Sequence, residues 1–560
     1  MRKLAALVLL CGLALNAAVP LHQPLAELVP DGAIFAVGLV DAAAGWDRLC
    51  GTPLADAVWK GPLKRHLADT GKLAKIRAFV AKVEDYLGLA IGPTLRQLAG
   101  GEAILAAYPG DTPDKAKVGL FLRGLPGVDA ASVLDGLVTR LVNAGELHPL
   151  DAVPLYDEAL FKRFRNKDGE EFGILTYGNH TLIANATEIA SGAGDLAAGV
   201  RSDSLYWNPR ARAACEPLLA HSQLVAFFDV PRFLEAARPP LDQHFAQAPF
   251  ITATIKAVKG VALGVGLRGD GLSSRLRIAV DEAALPDFVR AYLAAPAGFS
   301  AFAQNLPRNG IIAGLLAHFD LGAVVNGFID LLPAEAKADL DRRLAGVDTF
   351  ILGGRSLTRD LLPALGPDFA LLVTDLDPSD RMPADLTLLV KINNPTGRDM
   401  LASLARSLYG LTTQFAPDPR EVAKHSLKEE GDTLILSSAQ NDFTPCAIVG
   451  PSALIVGVSR AVAMQIKEWL AKPPAENLGA DLPPFKTAIL GADLERLGAW
   501  SSLHKAVIAA EIVKKKGIAP KAAEAEAATL GAFLAQFRVL AVTGRVEPGA
   551  FEVVGEVLMQ

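Results

Sequence analysis

The chain repeats itself, and any fold it adopts must accommodate that. The stretch LVPDGAIFAVGLVDAAAGWDRL from Leu28 is echoed by NLPRNGIIAGLLAHFDLGAVVNGF from Asn305, with Gly32 and Gly310 standing 278 positions apart. Four more segments recur in the same order. LAGGEAILAAYPG from Leu98 is answered from Leu365, and KVGLFLRGLPGVDAASVLDGLVTRL from Lys117 is answered from Leu386. GILTYGNHTLIANATEIA from Gly173 is answered from Cys446, and VALGVGLRGDGLSSRLRIAV from Val261 is answered from Phe537. Ordered matches at a nearly fixed offset are the mark of duplication. They divide the chain into a first half at 21–296 and a second half at 297–560.

A weaker echo lies inside each half. QLVAFFDVPRFLEAA from Gln223 and KTAILGADLERLGAW from Lys486 share the opening plan of apolar strand, Asp and helix. Asp41, Asp229, Asp320 and Asp493 therefore recur at one strand-to-helix junction. An acid there could bind a cation in a cleft. The reading that explains all four at once is a helix N-cap, in which the carboxylate accepts a hydrogen bond from a free N–H of the first turn.

Alternation identifies strands. In SRLRIAV, Leu276, Ile278 and Val280 oppose Arg275 and Arg277; in FEVVGEVLM, Phe551, Val553 and Val557 oppose Glu552, Val554 and Glu556. Strands with two unlike faces belong to antiparallel sheets that leave one face wet. In AASVLDGLVTRLV, Val133, Leu134, Leu137, Val138 and Leu141 form one helical stripe. The expected class is α+β: two tandem pseudo-repeats, each a mainly antiparallel sheet with helices packed on one face.

The N-terminus constrains location. Arg2 and Lys3 precede an apolar run from Leu4 to Leu15, followed by Ala17, Ala18 and Pro20. This is the plan of a signal peptide over 1–18, and it predicts an exported protein of the periplasm or cell envelope. An uncleaved anchor is the alternative, although the run is short for a span of about 20 residues. No transmembrane span is expected in the mature chain. Cys50, Cys215 and Cys446 remain beyond the signal, an odd number without a C-x-x-C pair, so no disulfide framework is indicated. A Cys50–Cys215 bridge stays open.

Recognised chemistry is sparse. A net charge of −6 with no long basic run excludes nucleic acid as an expected partner. Lys514, Lys515 and Lys516 read as a solvated helix end. Gly264, Gly266 and Gly269 match G-x-G-x-x-G, but within a strand rather than between strand and helix. Ser502 to Lys505 match S-x-x-K without the companion motifs of acylating enzymes. No two of the nine histidines lie two to four positions apart, and His318, beside Asp320, reads as structural. The sequons at Asn179 and Asn185 read as turn and cap residues. No catalytic, cofactor-binding or metal residue is assigned, and no cofactor is expected.

The signal pattern, LVPDGAIFAVGLVD and LAGGEAILAAYPG together resemble a domain-of-unknown-function family of exported bacterial proteins. That family opens on Leu-Pro-x-(Asp/Asn)-(Ala/Gly) and an apolar strand, with a later LGGE-apolar segment. The resemblance implies a bacterial envelope protein and carries over no site residues. Three functions fit: a non-catalytic envelope protein binding a ligand or protein partner, a hydrolase with a site formed between the halves, or a structural protein of envelope assembly. A cleft lined by Leu, Val, Ile and Phe would favour binding, and a large exposed apolar patch would favour assembly.

Overall fold

The computed structural model describes residues 25–559 apart from 88–89, 111–114, 156–158, 238–248, 269–270, 288, 291–300, 308–309, 375–384, 415–418, 440–443, 473–476 and 478–487. The expected signal at 1–18 and the expected boundary at 296/297 lie outside the described residues. Two compact units are present: Met1–Ala284 with Pro548–Met559, and Leu285–Glu547. The last strand, assigned by sequence to the second half, is grouped with the first unit.

The first unit contains β1 (Phe35–Val40), β2 (Glu102–Tyr108), β3 (Lys117–Arg123), β4 (Leu147–Pro149), β5 (Val153–Pro154), β6 (Leu160–Asn166), β7 (Glu171–Tyr177), β8 (His180–Ala184), β9 (Leu224–Phe228), β10 (Val258–Arg268) and β11 (Gly271–Val280). They hydrogen-bond in the order β6-β7-β8-β3-β2-β1-β9-β10-β11, and the strand Ala550–Met559 lies beside β11. Short β4 and β5 pair with β6.

The second unit contains β12 (Ile311–His318), β13 (Leu365–Thr374), β14 (Asp385–Ile392), β15 (His425–Glu430), β16 (Thr433–Ser438), β17 (Cys446–Val449), β18 (Ala453–Gly457), β19 (Ala488–Asp493) and β20 (Phe537–Glu547). Their order is β15-β16-β17-β18-β14-β13-β12-β19-β20. Strand for strand, β16 to β20 follow the order of β6 to β10, with β15 in the place of β4. Every ladder among the described residues is antiparallel. The strand Ala550–Met559 is β21.

Helices pack against this large antiparallel sheet on both faces, not one. In the first unit, Ile104, Phe121 and Leu182 form a core with Ile189, Ala190 and Ala193 of the helix Thr187–Ala197. On the opposite side of the pleat, Leu39, Ala103 and Leu122 pack with Ala130 and Leu134 of the helix Ala130–Asn143. The reason lies in a central strand. AILAAY in β2 is apolar at nearly every position, so each of its faces carries surface that burial stabilises by about 25 cal/mol per Å².

The β11 and β21 alternation is real, but inverted. Arg277 is only 8% exposed and Glu552 only 3%. Leu276, Ile278, Phe551 and Val553, expected to face the core, are half-buried. The polar side turns inward onto partners of its own: Arg277 Nε donates to Ala213 O at 3.2 Å on the helix Pro209–Leu219, and Arg275 lies 3.9 Å from Glu552, although the Arg275 Nε has no hydrogen-bond partner among the described residues. Among the described residues, no helix is long and apolar enough to cross a membrane.

Candidate functional site

The four junction acids differ in what they do. Asp229 accepts from the Arg232 N–H at 3.1 Å, Asp320 from Ala323 at 2.8 Å and Asp493 from Arg496 at 3.0 Å. Asp41 departs from the expected cap. It sits at φ 51°, in the left-handed region, and its side chain makes no cap hydrogen bond to the helix Ala42–Cys50. Its carboxylate instead approaches Arg48 at 3.7 Å. Asp229 is fully buried, with Arg210 at 3.0 Å. Burial pushes its carboxyl above the usual range, against the pull of Arg210 and Arg232.

Sequence reading missed an acid–base pair at matching positions of the two units. Glu102 on β2 pairs with Arg123 on β3 at 2.9 Å, and its other oxygen accepts from the Leu25 N–H at 2.6 Å. Burial raises the Glu102 pKa, with Arg123 opposing. In the second unit Asp368 on β13 lies 3.3 Å from Lys391 on β14. Val40 faces Glu102 across β1, and His318 faces Asp368 across β12. His318 Nδ1 makes a 2.8 Å hydrogen bond to Asp368 Oδ1, so the histidine has a structural partner of its own.

A second polar network ties the Asp31 turn to two helices. Arg232 donates to both Asp31 oxygens, at 2.7 and 2.5 Å, and Asn208 Nδ2 donates at 2.6 Å. Burial works to raise the Asp31 pKa, but these donors hold it below the ordinary carboxylate value.

The sequence motifs resolve into packing. A Cβ at Gly264 would meet Ser222 Oγ at 2.2 Å, and one at Gly266 would meet His221 O at 2.2 Å. These glycines let β10 approach the turn before β9; Gly269 lies outside the described residues. Ser502 Oγ donates to Gly498 O within its own helix at 2.9 Å. The Asn185 carboxamide bonds Val118 N–H and Ala116 O. Lys514, Lys515 and Lys516 end a helix capped by left-handed Gly517. Cys50, Cys215 and Cys446 are free thiols, so the Cys50–Cys215 bridge is not formed. Burial pushes the Cys215 thiol up to about 12 and Cys446 up to about 11. Among the described residues no cluster of three His, Cys, Asp or Glu could hold a metal.

What stands out is an apolar face left bare. In the second unit Leu315, Leu371, Leu388 and Val456 are direct cross-strand neighbours on β12, β13, β14 and β18. Their exposures are 40, 43, 40 and 40%, and Leu386 beside them is 38% exposed. The row continues through Ala447 and Leu436. There it enters a cleft of about 550 Å³, mouth included, lined also by Tyr409 and Thr412 of the helix Pro395–Gln414 and by His425, Ser437 and Ser438. In the first unit the matching row is Val37, Leu105, Leu120 and Ile183, all half-buried. Past Ala226 it reaches Leu263, 38% exposed, then Leu276 and Val553.

A shallow crevice of about 500 Å³, mouth and open solvent included, lies on the other face of the first unit, against Ala193, Gly194, Ala197 and Ala198. At the repeat-matched positions of the helix Arg460–Ala471 stand Ile466, Lys467, Leu470 and Ala471. Small side chains leave open here what larger ones fill in the second unit.

No family model matches the chain, and no curated protein matches it. Solved structures similar to it include crystal forms IV and III of TP0453, both at a TM-score of 0.23. Identities are 10 and 12%; the matches cover 45 and 51% of this chain and 79 and 91% of theirs. Likeness this slight carries no argument about fold or function.

Proposed function

We propose that this is an exported, non-catalytic binding protein of the cell envelope, built from two copies of one α+β module, whose outward apolar sheet face is its binding surface. The observation that carries the reading is the bare row of the second unit, where Leu315, Leu371, Leu386, Leu388 and Val456 line the open face. In the first unit the polar side chains Arg277 and Glu552 are turned inward and leave Leu263 of the matching row exposed. Water-facing sheet positions are ordinarily polar, and a contiguous exposed apolar patch marks a place that something else covers. Such a patch alone would speak for assembly, but this one runs into the cleft at Val456, Ala447 and Leu436, which favours a bound ligand. The matched strand orders and the shared rows support duplication. Export rests on the Arg2-Lys3 and Leu4–Leu15 pattern.

The test is binding of anilinonaphthalene sulfonate to the folded chain. Enhanced fluorescence is expected, with Leu371→Asp and Leu388→Asp each reducing it at unchanged circular dichroism. A folded chain that binds no dye, or variants that bind as well as wild type, would refute the binding face. The mass of the protein recovered from its native host tests export separately: loss of about the first 18 residues is expected.

A further inference from the structure

We propose that the second unit binds a single-chain anionic amphiphile, its head group in the cleft under the helix Pro395–Gln414 and its hydrocarbon along Val456, Leu388, Leu371 and Leu315. This rests on the binding face proposed above and names its occupant.

Three observations converge. The first is continuity: Val456 both lines the cleft and begins the exposed row. From Leu436 to Leu315 the row crosses six strands, roughly 24 Å at the ~4.8 Å spacing of a sheet. Its exposed part outside the cleft, from Val456 to Leu315, spans roughly 14 Å at that spacing and is widened by Leu386 beside Leu388, an apolar track suited to an extended acyl chain.

The second is the polarity of the closed end. His425 and Ser438 pair directly across β15 and β16. The Ser438 hydroxyl is buried and has no hydrogen-bond partner, a costly arrangement unless a ligand or water accepts from it. Tyr409 follows buried Ala405 by four residues, so it lies on the helix side that faces the sheet.

The third is charge. The described lining contains no carboxylate, and His425 is its basic side chain. Among the described residues an anionic head group therefore meets hydrogen-bond donors without a facing acid. The roof is specific to this unit: its helix has 20 residues, whereas the matching helix of the first unit has 14. A flat protein partner would use the open row but would have no need of a roofed polar end.

The experiment titrates the full chain with cis-parinaric acid, a fluorescent fatty carboxylate, and competes it with palmitate, lysophosphatidylglycerol and hexadecanol. Saturable binding is expected, with hexadecanol at least tenfold weaker than the better anionic competitor. Competition by palmitate alone assigns a carboxylate head, and by lysophosphatidylglycerol alone a phosphate head; either supports the proposal. Leu388→Asp and, as a second row variant, Leu371→Asp should each weaken binding at least tenfold, while Leu105→Asp in the first unit leaves it unchanged. Ser438→Ala should weaken palmitate severalfold without affecting hexadecanol. Equal competition by hexadecanol, or an inert Ser438→Ala, overturns the head-group site. Absence of parinaric acid binding, with dye binding still lost in Leu388→Asp, overturns the amphiphile but leaves the apolar binding face standing. Loss of neither signal in the row variants sinks both.

Discussion

Asp41 shows how a residue can keep its place in a repeat and lose its job. Its three counterparts cap helices, but at φ 51° its own backbone is in a region that costs most L-residues about 1–2 kcal/mol. Asp41→Gly should therefore stabilise the chain, by up to about 1 kcal/mol, whereas Asp320→Ala should cost about 1 kcal/mol. Urea unfolding of both variants checks the contrast, and destabilisation by Asp41→Gly would mean the carboxylate contributes more than its backbone conformation costs. The Asp31–Arg232 pair predicts a pH effect. The folded pKa of Asp31 is depressed, so its contribution is fully present above the unfolded value of about 3.9 and is lost as pH falls through the lower folded value. Asp31→Asn should flatten that acid limb of the stability curve; an unchanged slope would show that other carboxylates dominate it. The junction acids could be picked out from sequence because capping is local. The Glu102–Arg123 and Asp368–Lys391 pairs could not, because each needs the register of strands that are distant in the chain.

Elements were legible where periodicity is strong. Of the stripe on the helix Ala130–Asn143, Val133, Leu134, Val138 and Leu141 pack into the core as expected, while Leu137 is half-buried outside that cluster. The strand pattern of β11 was also visible, yet which side faces inward was not. Alternation defines two faces, and hydrophobicity alone assigns the apolar one to the core. Here Arg277 reaches the Ala213 carbonyl and Glu552 lies near Arg275, so the charged side finds partners in the interior. The repeat itself makes a prediction at this scale. The crevice beside the helix Thr187–Ala197 should accept the larger residue found at the matching position of the second unit. Ala197→Leu, which copies Leu470 into the first unit, should raise stability by about 1 kcal/mol, as cavity-filling changes commonly do. A lower Tm would show that the two helices sit at different distances from their sheets.

At the scale of the molecule, the last strand belongs with the first unit. β21 pairs with β11 over eight residues, from Leu272 opposite Val557 to Ala279 opposite Ala550. Deleting residues 548–560 should therefore expose Arg277 and β11, far away in sequence. Amide exchange in Leu272–Ala279 should accelerate well beyond that in β13 or β14. Equal protection before and after deletion would contradict the pairing.

By itself the sequence determined the α+β class and the antiparallel strands, and it pointed to the repeated order and to the junction acids at Asp229, Asp320 and Asp493. Each of these follows from local periodicity, from capping chemistry or from self-similarity, which a linear string carries. Only the tertiary structure decided which face of each strand is covered, where Asp41 turns left-handed, that His318 meets Asp368, and that Leu315, Leu371, Leu388 and Val456 form one bare row. Those facts depend on register between segments far apart in the chain. A one-residue slip would send every one of these side chains to the opposite face.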